Sequence, residues 1–306
     1  MSASGGNKAI VAALAANLAI AGAKLVGFLV TRSSSMLAEA IHSLADSGNQ
    51  VLLLVGGRRA RREADVRHPF GYGRERYFYA FVVSVVLFTV GSMFAIYEGI
   101  AKIRHPHHID SAFVAVAILV FAIVAETFSF RTAIRETRPL KGGMSWVAFI
   151  RHAKSPELPV VLLEDLAALV GLVLALLGVT LTTVTDDPVW DGIGTLSIGL
   201  LLGAVAVVLA IEMKGLLIGE SASRASVDAI RVALVDGTTV TRVIHLKTLH
   251  LGPDELLVAA KIAVAPGLGL PEVAQAIDAA EVRVRAVEPL ARQLYLEPDL
   301  DRGPTG

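Results

Sequence analysis

The chain contains no cysteine among its 306 residues. It can therefore form no disulfide, and no thiolate is available to bind a metal ion. Charged residues are also scarce, at 18%, compared with roughly 25% in soluble domains. Positive and negative side chains balance to a formal net charge of zero, so the overall charge does not attract nucleic acid. These absences exclude a disulfide-stabilised scaffold and argue against a nucleic-acid-binding protein.

Three common catalytic motifs are missing as well. The sequence has no P-loop, no His-Glu-x-x-His pair and no Gly-x-Ser-x-Gly elbow. These motifs serve nucleotide phosphate binding, zinc-dependent hydrolysis and serine nucleophiles, respectively. Their absence argues against an ATP-driven pump, the common intramembrane zinc peptidase and a serine hydrolase.

Long apolar runs dominate what is present. Hydrophobic residues make up 54% of the chain and the mean hydropathy is +0.62. Six segments are long enough to cross a hydrocarbon core of about 30 Å. They are residues 9–30, 35–57, 77–99, 111–134, 160–184 and 189–213. The sequence therefore predicts an all-α, six-helix transmembrane bundle as one domain over residues 1–215.

Basic residues are concentrated in alternate connections. The loop 58–76 and the region 131–154 are rich in arginine and lysine, whereas the opposite connections carry few. Basic loops of membrane proteins are retained in the cytoplasm. We therefore expect an integral membrane protein with both termini in the cytoplasm. The expected location is a prokaryotic plasma membrane.

Shorter elements replace the apolar runs after residue 215. We expect a helix over 225–236, strands over 243–251 and 256–264, a helix over 271–287 and a strand over 291–297. The order α-β-β-α-β predicts a small, ferredoxin-like cytoplasmic α+β domain over residues 216–306. A domain of this size has a limited core, which assembly into a homodimer would supplement.

A polar stripe interrupts the second predicted span. His42 and Asp46 lie four residues apart, which places them on one face of a helix. A charged Asp costs roughly 2.5–3.5 kcal/mol at the centre of a membrane helix. Such a pair therefore usually faces the bundle interior and handles ions or protons. Asn49 and Gln50 continue the stripe, either as site residues or as hydrogen-bonding contacts between helices.

The fifth predicted span contains two adjacent acids, Glu164 and Asp165. Adjacent residues of a helix point about 100° apart. We therefore expect one acid to face the site and the other to pair elsewhere or accept protons. Asp165 is the predicted metal ligand, and Glu164 is a ligand or a proton carrier. Glu126, in the fourth span, is either a proton relay or an ion-pair partner of Arg131.

Together these features resemble the cation diffusion facilitator family, and most closely its zinc transporter nine-like branch. The resemblance covers residues 8–298. It depends on the six spans, the small C-terminal domain, and four motifs at residues 40–50, 68–73, 162–168 and 191–194.

That resemblance implies exchange of a metal ion for protons, a homodimer, and four metal ligands arranged as i, i+4 pairs on spans two and five. His42 and Asp46 match the first pair, and Asp165 matches the second member of the other pair. The remaining position is Val161, which cannot bind metal. The candidates for the fourth ligand are Glu164, Asn49 and water.

Two further metal sites that the resemblance implies are incomplete in this sequence. Before span three, Asp65 and His68 are present, but Tyr72 stands where a histidine is expected. In the C-terminal domain, His245 is present, but Lys261 occupies an expected ligand position. We therefore expect no regulatory metal in that domain.

The combined prediction is a secondary transporter, not an enzyme, that exports Zn²⁺ in exchange for H⁺. Histidine and carboxylate ligands also suit Mn²⁺, Fe²⁺ or Co²⁺, so a transporter of one of these ions is the alternative. An intramembrane metalloenzyme using Glu164 as general base and a passive channel are further interpretations. The predicted partners are a divalent metal ion, the lipid bilayer and a second copy of the chain, and no nucleic acid.

Overall fold

The computed structural model describes residues 4–31, 34–106 and 112–300; within these ranges the side chains of 4–7, 27, 28, 30, 31, 34–42 and 45 lie outside the description. The described chain packs as two units. One contains residues from 1–59 and 75–214, and the other contains residues from 60–74 and 215–306. The division at residue 215, drawn from the sequence, stays a prediction.

The first unit is helical. Its helices are α1 (Ser4–Thr31), α2 (Ser34–Arg59), α3 (Glu75–Val86), α4 (Phe94–Arg104), α5 (Ala112–Lys141), α6 (Trp146–His152), α7 (Glu157–Thr185) and most of α8 (Val189–Ile218). A π-helical segment, Leu87–Met93, connects α3 directly to α4. Helix α1 packs against α2, α5 and α7, while α5 also packs against α7. This arrangement brings the polar stripe of α2 and the acids of α7 into one bundle.

Five stretches of the described residues are long and apolar enough to cross a membrane. They are Lys8–Val26, Glu75–Arg104, Ala112–Lys141, Glu157–Thr185 and Val189–Ile218. Helix α2, which carries the polar stripe, is not one of the five. A helical membrane domain is therefore confirmed, whereas the count of six spans stays a prediction.

Glycines allow α4 and α8 to pack with their backbones close together. A Cβ atom on Gly99 would lie 2.5 Å from the backbone nitrogen of Leu196, and one on Gly199 would lie 2.7 Å from that of Ile96. The hydroxyl of Ser92 donates a hydrogen bond to the carbonyl of Gly199 across 2.8 Å. Membrane helices associate through such close packing and polar contacts because lipid tails are as apolar as leucine.

Two ion pairs join helix ends within the first unit. Arg76 Nε lies 3.3 Å from Glu157 Oε1, and both side chains are buried. Lys102 Nζ lies 2.9 Å from Asp191 Oδ2. The first pair ties the start of α3 to the start of α7, and the second ties the end of α4 to the start of α8.

The second unit contains a three-stranded sheet and two helices. Its elements are α9 (Arg224–Leu234), β1 (Val240–Gly252), β2 (Glu255–Val264), α10 (Leu270–Val287) and β3 (Ala291–Leu300). Strands β1 and β2 form an antiparallel hairpin, and β3 pairs with β2 in parallel. Apolar residues of both helices and the sheet form one core. The α-β-β-α-β order predicted from the sequence is confirmed, and the ferredoxin-like assignment stays a prediction.

Asp236 organises the turn between α9 and β1. Its Oδ1 atom accepts hydrogen bonds from the backbone nitrogens of Thr238, Thr239 and Val240 at 2.8, 2.7 and 3.0 Å. Burial alone would raise the pKa of Asp236, but the hydrogen bonds from Thr239 and its neighbours outweigh burial and hold that pKa well below its usual range.

Candidate functional site

The predicted ligand pair on α2 is described in part. His42 lies within α2, but its side chain is outside the described residues, so its role as a ligand stays a prediction. Asp46 follows one turn later on the same helix and is half-buried. Its carboxyl interacts electrostatically with those of Glu126 and Glu164. Helix α2 therefore brings a carboxyl close to the acids of α5 and α7.

Glu164 is hydrogen-bonded to two side-chain amides of α2. Asn49 Nδ2 donates to Glu164 Oε1 across 2.7 Å, and Gln50 Nε2 donates to Glu164 Oε2 across 3.1 Å. Both amide side chains are 1% exposed and Glu164 is 8% exposed. The α2 stripe thus supplies the hydrogen-bond donors that a carboxyl needs inside a membrane bundle.

Asp165 points to a different neighbour. Ser129 Oγ on α5 donates to Asp165 Oδ2 across 2.7 Å. The carboxyl of Glu126, one turn earlier on α5, also hydrogen-bonds with Asp165. The adjacent acids of α7 therefore separate as their helical spacing predicts, Glu164 toward α2 and Asp165 toward α5. Glu126 pairs with Asp165, whereas Arg131 is exposed.

The amide oxygen of Asn49 has no hydrogen-bond partner among the described residues, although it is buried. A buried acceptor without a donor is costly, and an amide oxygen is also a ligand for hard metal ions. Its amide nitrogen is fixed by Glu164, so the oxygen faces the other way. An amide oxygen in this position can accept a hydrogen bond from water or from a neighbouring imidazole, or it can bind a metal ion.

Four acids from three helices, Asp46, Glu126, Glu164 and Asp165, thus occupy one region of the bundle. They do not yet surround an ion: among the described side chains, no three His, Asp or Glu residues are positioned to hold a metal together. In this conformation the predicted ligand set is divided, with Glu164 engaged by α2 and Asp165 engaged by α5.

Sequence reasoning missed three polar residues beside this region. Asn17 on α1 donates to Gln50 Oε1 across 3.3 Å, and Lys24 on α1 donates to Ser43 Oγ across 3.1 Å. Ser129 is the third. Asn17 and Lys24 lie seven residues apart, two turns along one face of an otherwise apolar helix. That spacing was the available signal; Ser129 carried none, since serine is common in membrane helices.

The turn at residues 65–72 uses its polar side chains for its own geometry. Tyr72 donates its hydroxyl to Asp65 Oδ2 across 2.6 Å, and the backbone nitrogen of His68 donates to Asp65 Oδ1 across 2.7 Å. These two bonds lower the pKa of Asp65. In the second unit, hydrogen bonds to Glu297 and Asp299 raise the pKa of Lys261. Tyr72 and Lys261, the two residues that stand at expected ligand positions of the incomplete metal sites, therefore make structural contacts instead.

Comparison with known proteins gives a consistent family. The profile described as the cation efflux transmembrane domain matches residues 10–218. The chain is 35% identical over 242 residues to the proton-coupled zinc antiporter SLC30A9, mitochondrial, of Xenopus laevis, which covers 78% of this chain and 43% of that protein. The human protein of the same name is 32% identical over 241 residues, an alignment that covers 78% of this chain and 42% of the human protein. Metal tolerance protein C4 of Arabidopsis thaliana is 28% identical over 257 residues, an alignment that covers 83% of this chain and 56% of the plant protein. The chain thus spans less than half the length of the SLC30A9 relatives.

Proposed function

Because the chain belongs to the cation efflux family, we propose that it is a proton-coupled zinc antiporter, a secondary transporter that exports Zn²⁺ from the cytoplasm. The observation that carries the proposal is the group of acids inside the matched membrane domain, which are half-buried on α2 and buried on α5 and α7. Acids at such positions are expensive in a membrane and mark ion or proton pathways. The names of the SLC30A9 relatives support the choice of zinc and of protons.

The proposed ligands are His42 and Asp46 on α2 and Asp165 on α7. A histidine nitrogen and carboxylate oxygens form a common zinc coordination set. For the fourth position we propose Asn49 or Glu164, because Asn49 presents a buried amide oxygen without a described partner and fixes Glu164 with its nitrogen. Bringing Asp165 to the α2 ligands requires it to exchange its bond with Ser129 for one to the ion.

The coupling follows from ligand chemistry. Metal binds deprotonated histidine and carboxylate, so binding releases protons and protonation releases metal. An imidazole titrates near neutral pH, which allows the exchange to operate under physiological conditions. Glu126 adds a further carboxyl that hydrogen-bonds with Asp165. Two carboxyls bonded in this way share a proton, which zinc binding at Asp165 would displace. Alternating access then requires the helices to rock around a fixed site.

The finer architecture is part of the same proposal. We place α2 across the membrane as the sixth span, with basic loops and both termini in the cytoplasm and the second unit as a ferredoxin-like cytoplasmic domain. The proposed location is a prokaryotic plasma membrane and the proposed assembly is a homodimer. The polar partners that α1 and α7 give to α2 support its insertion, because they satisfy its amides inside the bundle.

The test uses the full chain in proteoliposomes that hold a pH-sensitive dye. An inward zinc gradient is predicted to move protons outward, and an imposed proton gradient is predicted to drive zinc movement. Zinc flux that is indifferent to a protonophore would favour a channel instead. Replacing zinc with Mn²⁺, Fe²⁺ or Co²⁺ in the same assay decides between the metals, since the predicted result is the strongest coupling with Zn²⁺.

A further inference from the structure

The C-terminal part of α5 presents a row of three arginines. Arg131, Arg135 and Arg138 are all exposed, and their spacings of four and three residues place them on one helix face. Among the described residues, none of the three has a hydrogen-bond or ion-pair partner. By contrast, Arg62 lies over the ring of Tyr72 at 4.6 Å. We call the three residues the α5 arginine row.

The depth of the row follows from the length of α5. The helix has 30 residues, or about 45 Å at 1.5 Å per residue. A hydrocarbon core of about 30 Å takes up roughly 20 of them. If the core begins at the first residue of α5, it ends near Arg131. The separation of seven residues between Arg131 and Arg138 then corresponds to about 10 Å along the helix axis, a distance comparable with the headgroup layer.

The row continues an exposed, apolar side of α5. Val124 and Phe128 are 65% and 70% exposed, and on a helical projection they lie on the same face as the arginines. Phe128, Thr132 and Pro139 line an open groove together with the three arginines. The surface of α5 thus changes from apolar residues to unpaired arginines at the expected membrane boundary. This pattern is complementary to a lipid molecule whose acyl chains lie along Phe128 and whose headgroup contacts the guanidinium groups.

We propose that the α5 arginine row binds the phosphate headgroup of an anionic phospholipid of the cytoplasmic leaflet. Arginine's planar fork bonds phosphate oxygens in pairs, and it keeps its charge at all relevant pH values. The negative surface of that leaflet attracts basic residues near the membrane. This site is separate from the metal site, since it lies on the outer face of α5 while Glu126 and Ser129 are buried on the inner face.

A single tryptophan can report on this lipid. The chain has two tryptophans, so Trp190→Phe leaves Trp146 as the only one. The ring centre of Trp146 lies 5.3 Å from Lys141 Nζ. Lys141 follows Arg138 by about one helical turn, so the tryptophan is close to the arginine row. Brominated phosphatidylglycerol and brominated phosphatidylcholine are added in turn to the full-length protein in mixed micelles, and quenching of Trp146 fluorescence measures each affinity.

We expect a clear preference for phosphatidylglycerol in the protein with all three arginines. Each basic residue near an anionic surface contributes a factor of about five in affinity. The triple variant Arg131→Gln, Arg135→Gln, Arg138→Gln is therefore predicted to lose the preference by at least about tenfold. The charge-retaining triple variant with lysine is predicted to keep most of it, and it also shows whether any loss comes from misfolding.

A matched control changes the net charge equally at another place. Arg58, Arg61 and Arg67 are exposed in the other basic region, and their triple glutamine variant is predicted to retain the preference within twofold. Equal losses in the two glutamine triples, or no loss in the α5 triple, would overturn the proposal. Inorganic phosphate at millimolar concentration is predicted not to displace the lipid; displacement would assign the row to a soluble anion and would also overturn it.

Discussion

The contacts between Glu164 and the α2 amides allow a quantitative prediction. Replacing Glu164 with alanine leaves the amide nitrogens of Asn49 and Gln50 buried without their acceptor. Each orphaned buried donor costs about 1–3 kcal/mol. Taking about 2 kcal/mol each, we expect Glu164→Ala to lower the free energy of unfolding by about 4 kcal/mol. For a domain of this size, 1 kcal/mol corresponds to about 2–4 °C, so the melting temperature should fall by about 8–16 °C.

A double-mutant cycle isolates the direct bond. Interhelical hydrogen bonds in membrane proteins average about 0.6 kcal/mol, with a maximum near 1.7 kcal/mol. The short bond from Asn49 to Glu164 should therefore show a coupling of about 1 kcal/mol between Asn49→Ala and Glu164→Ala. The assay is thermal unfolding of the purified full-length protein in detergent, followed by intrinsic fluorescence.

Ser92→Ala provides the control pair, because Ser92 bonds to Gly199 in another part of the helical unit. It should combine additively with Glu164→Ala, within about 0.5 kcal/mol. An equally additive result for the Asn49 cycle would show that α2 and α7 are not joined through this bond.

Three further predictions concern other parts of the structure. Glu157→Gln removes the negative charge that lies 3.3 Å from the buried Arg76 Nε and should destabilise the protein by about 3–5 kcal/mol, measured by the same unfolding assay; a change below about 1 kcal/mol would show that this pair contributes little. Gly99→Ala places a Cβ 2.5 Å from a backbone atom and should cost about 1–3 kcal/mol through overpacking, with an unaffected melting temperature as the contrary result. Asp236 has a lowered pKa when folded, so the stability it adds is present above its unfolded pKa, about 3.9, and is lost as the pH falls through the folded value. Calorimetry of the protein and of Asp236→Asn between pH 3 and pH 7 should show a difference at pH 7 that shrinks below pH 4, whereas a constant difference would contradict the assignment.

Much of the second unit follows from the sequence because its elements have strong local signals. The hairpin is predicted by two apolar runs on either side of Gly252-Pro253, and the structure confirms it. The last strand extends to Leu300, beyond the predicted end at 297, and includes Pro298. Proline normally ends a strand prediction, but β3 lies at the edge of the sheet, where a missing backbone donor is tolerated.

The acids of the candidate site were also visible in the sequence, since a carboxyl in an apolar run is conspicuous. Their partners were not. The 100° rule predicts that Glu164 and Asp165 separate, but it does not say which helix each one meets. That depends on how α5 and α7 pack, and packing is determined by small and apolar residues without a fixed spacing in one helix. The same limit explains why Ser129 was missed.

The arrangement has a physical consequence for the proposed transport. In this conformation Asp165 is held by Ser129 and Glu126 on α5, away from the α2 amides that hold Glu164. A zinc ion that binds to α2 and Asp165 together has to compete with those bonds. Metal binding and movement of α7 relative to α5 are therefore expected to be linked, which is the property that an antiporter requires.

Proton release on zinc binding tests the central claim most directly. Zinc is titrated calorimetrically into purified protein at pH 7 in two buffers with different ionisation enthalpies, which gives the number of protons released per ion bound. We expect net proton release by the unaltered protein, a loss of affinity greater than about 100-fold in the double variant His42→Ala, Asp46→Ala, and little change in Glu98→Gln, which removes an acid elsewhere in the bundle. Unchanged zinc affinity and proton release in the double variant would show that zinc does not bind at this site in exchange for protons.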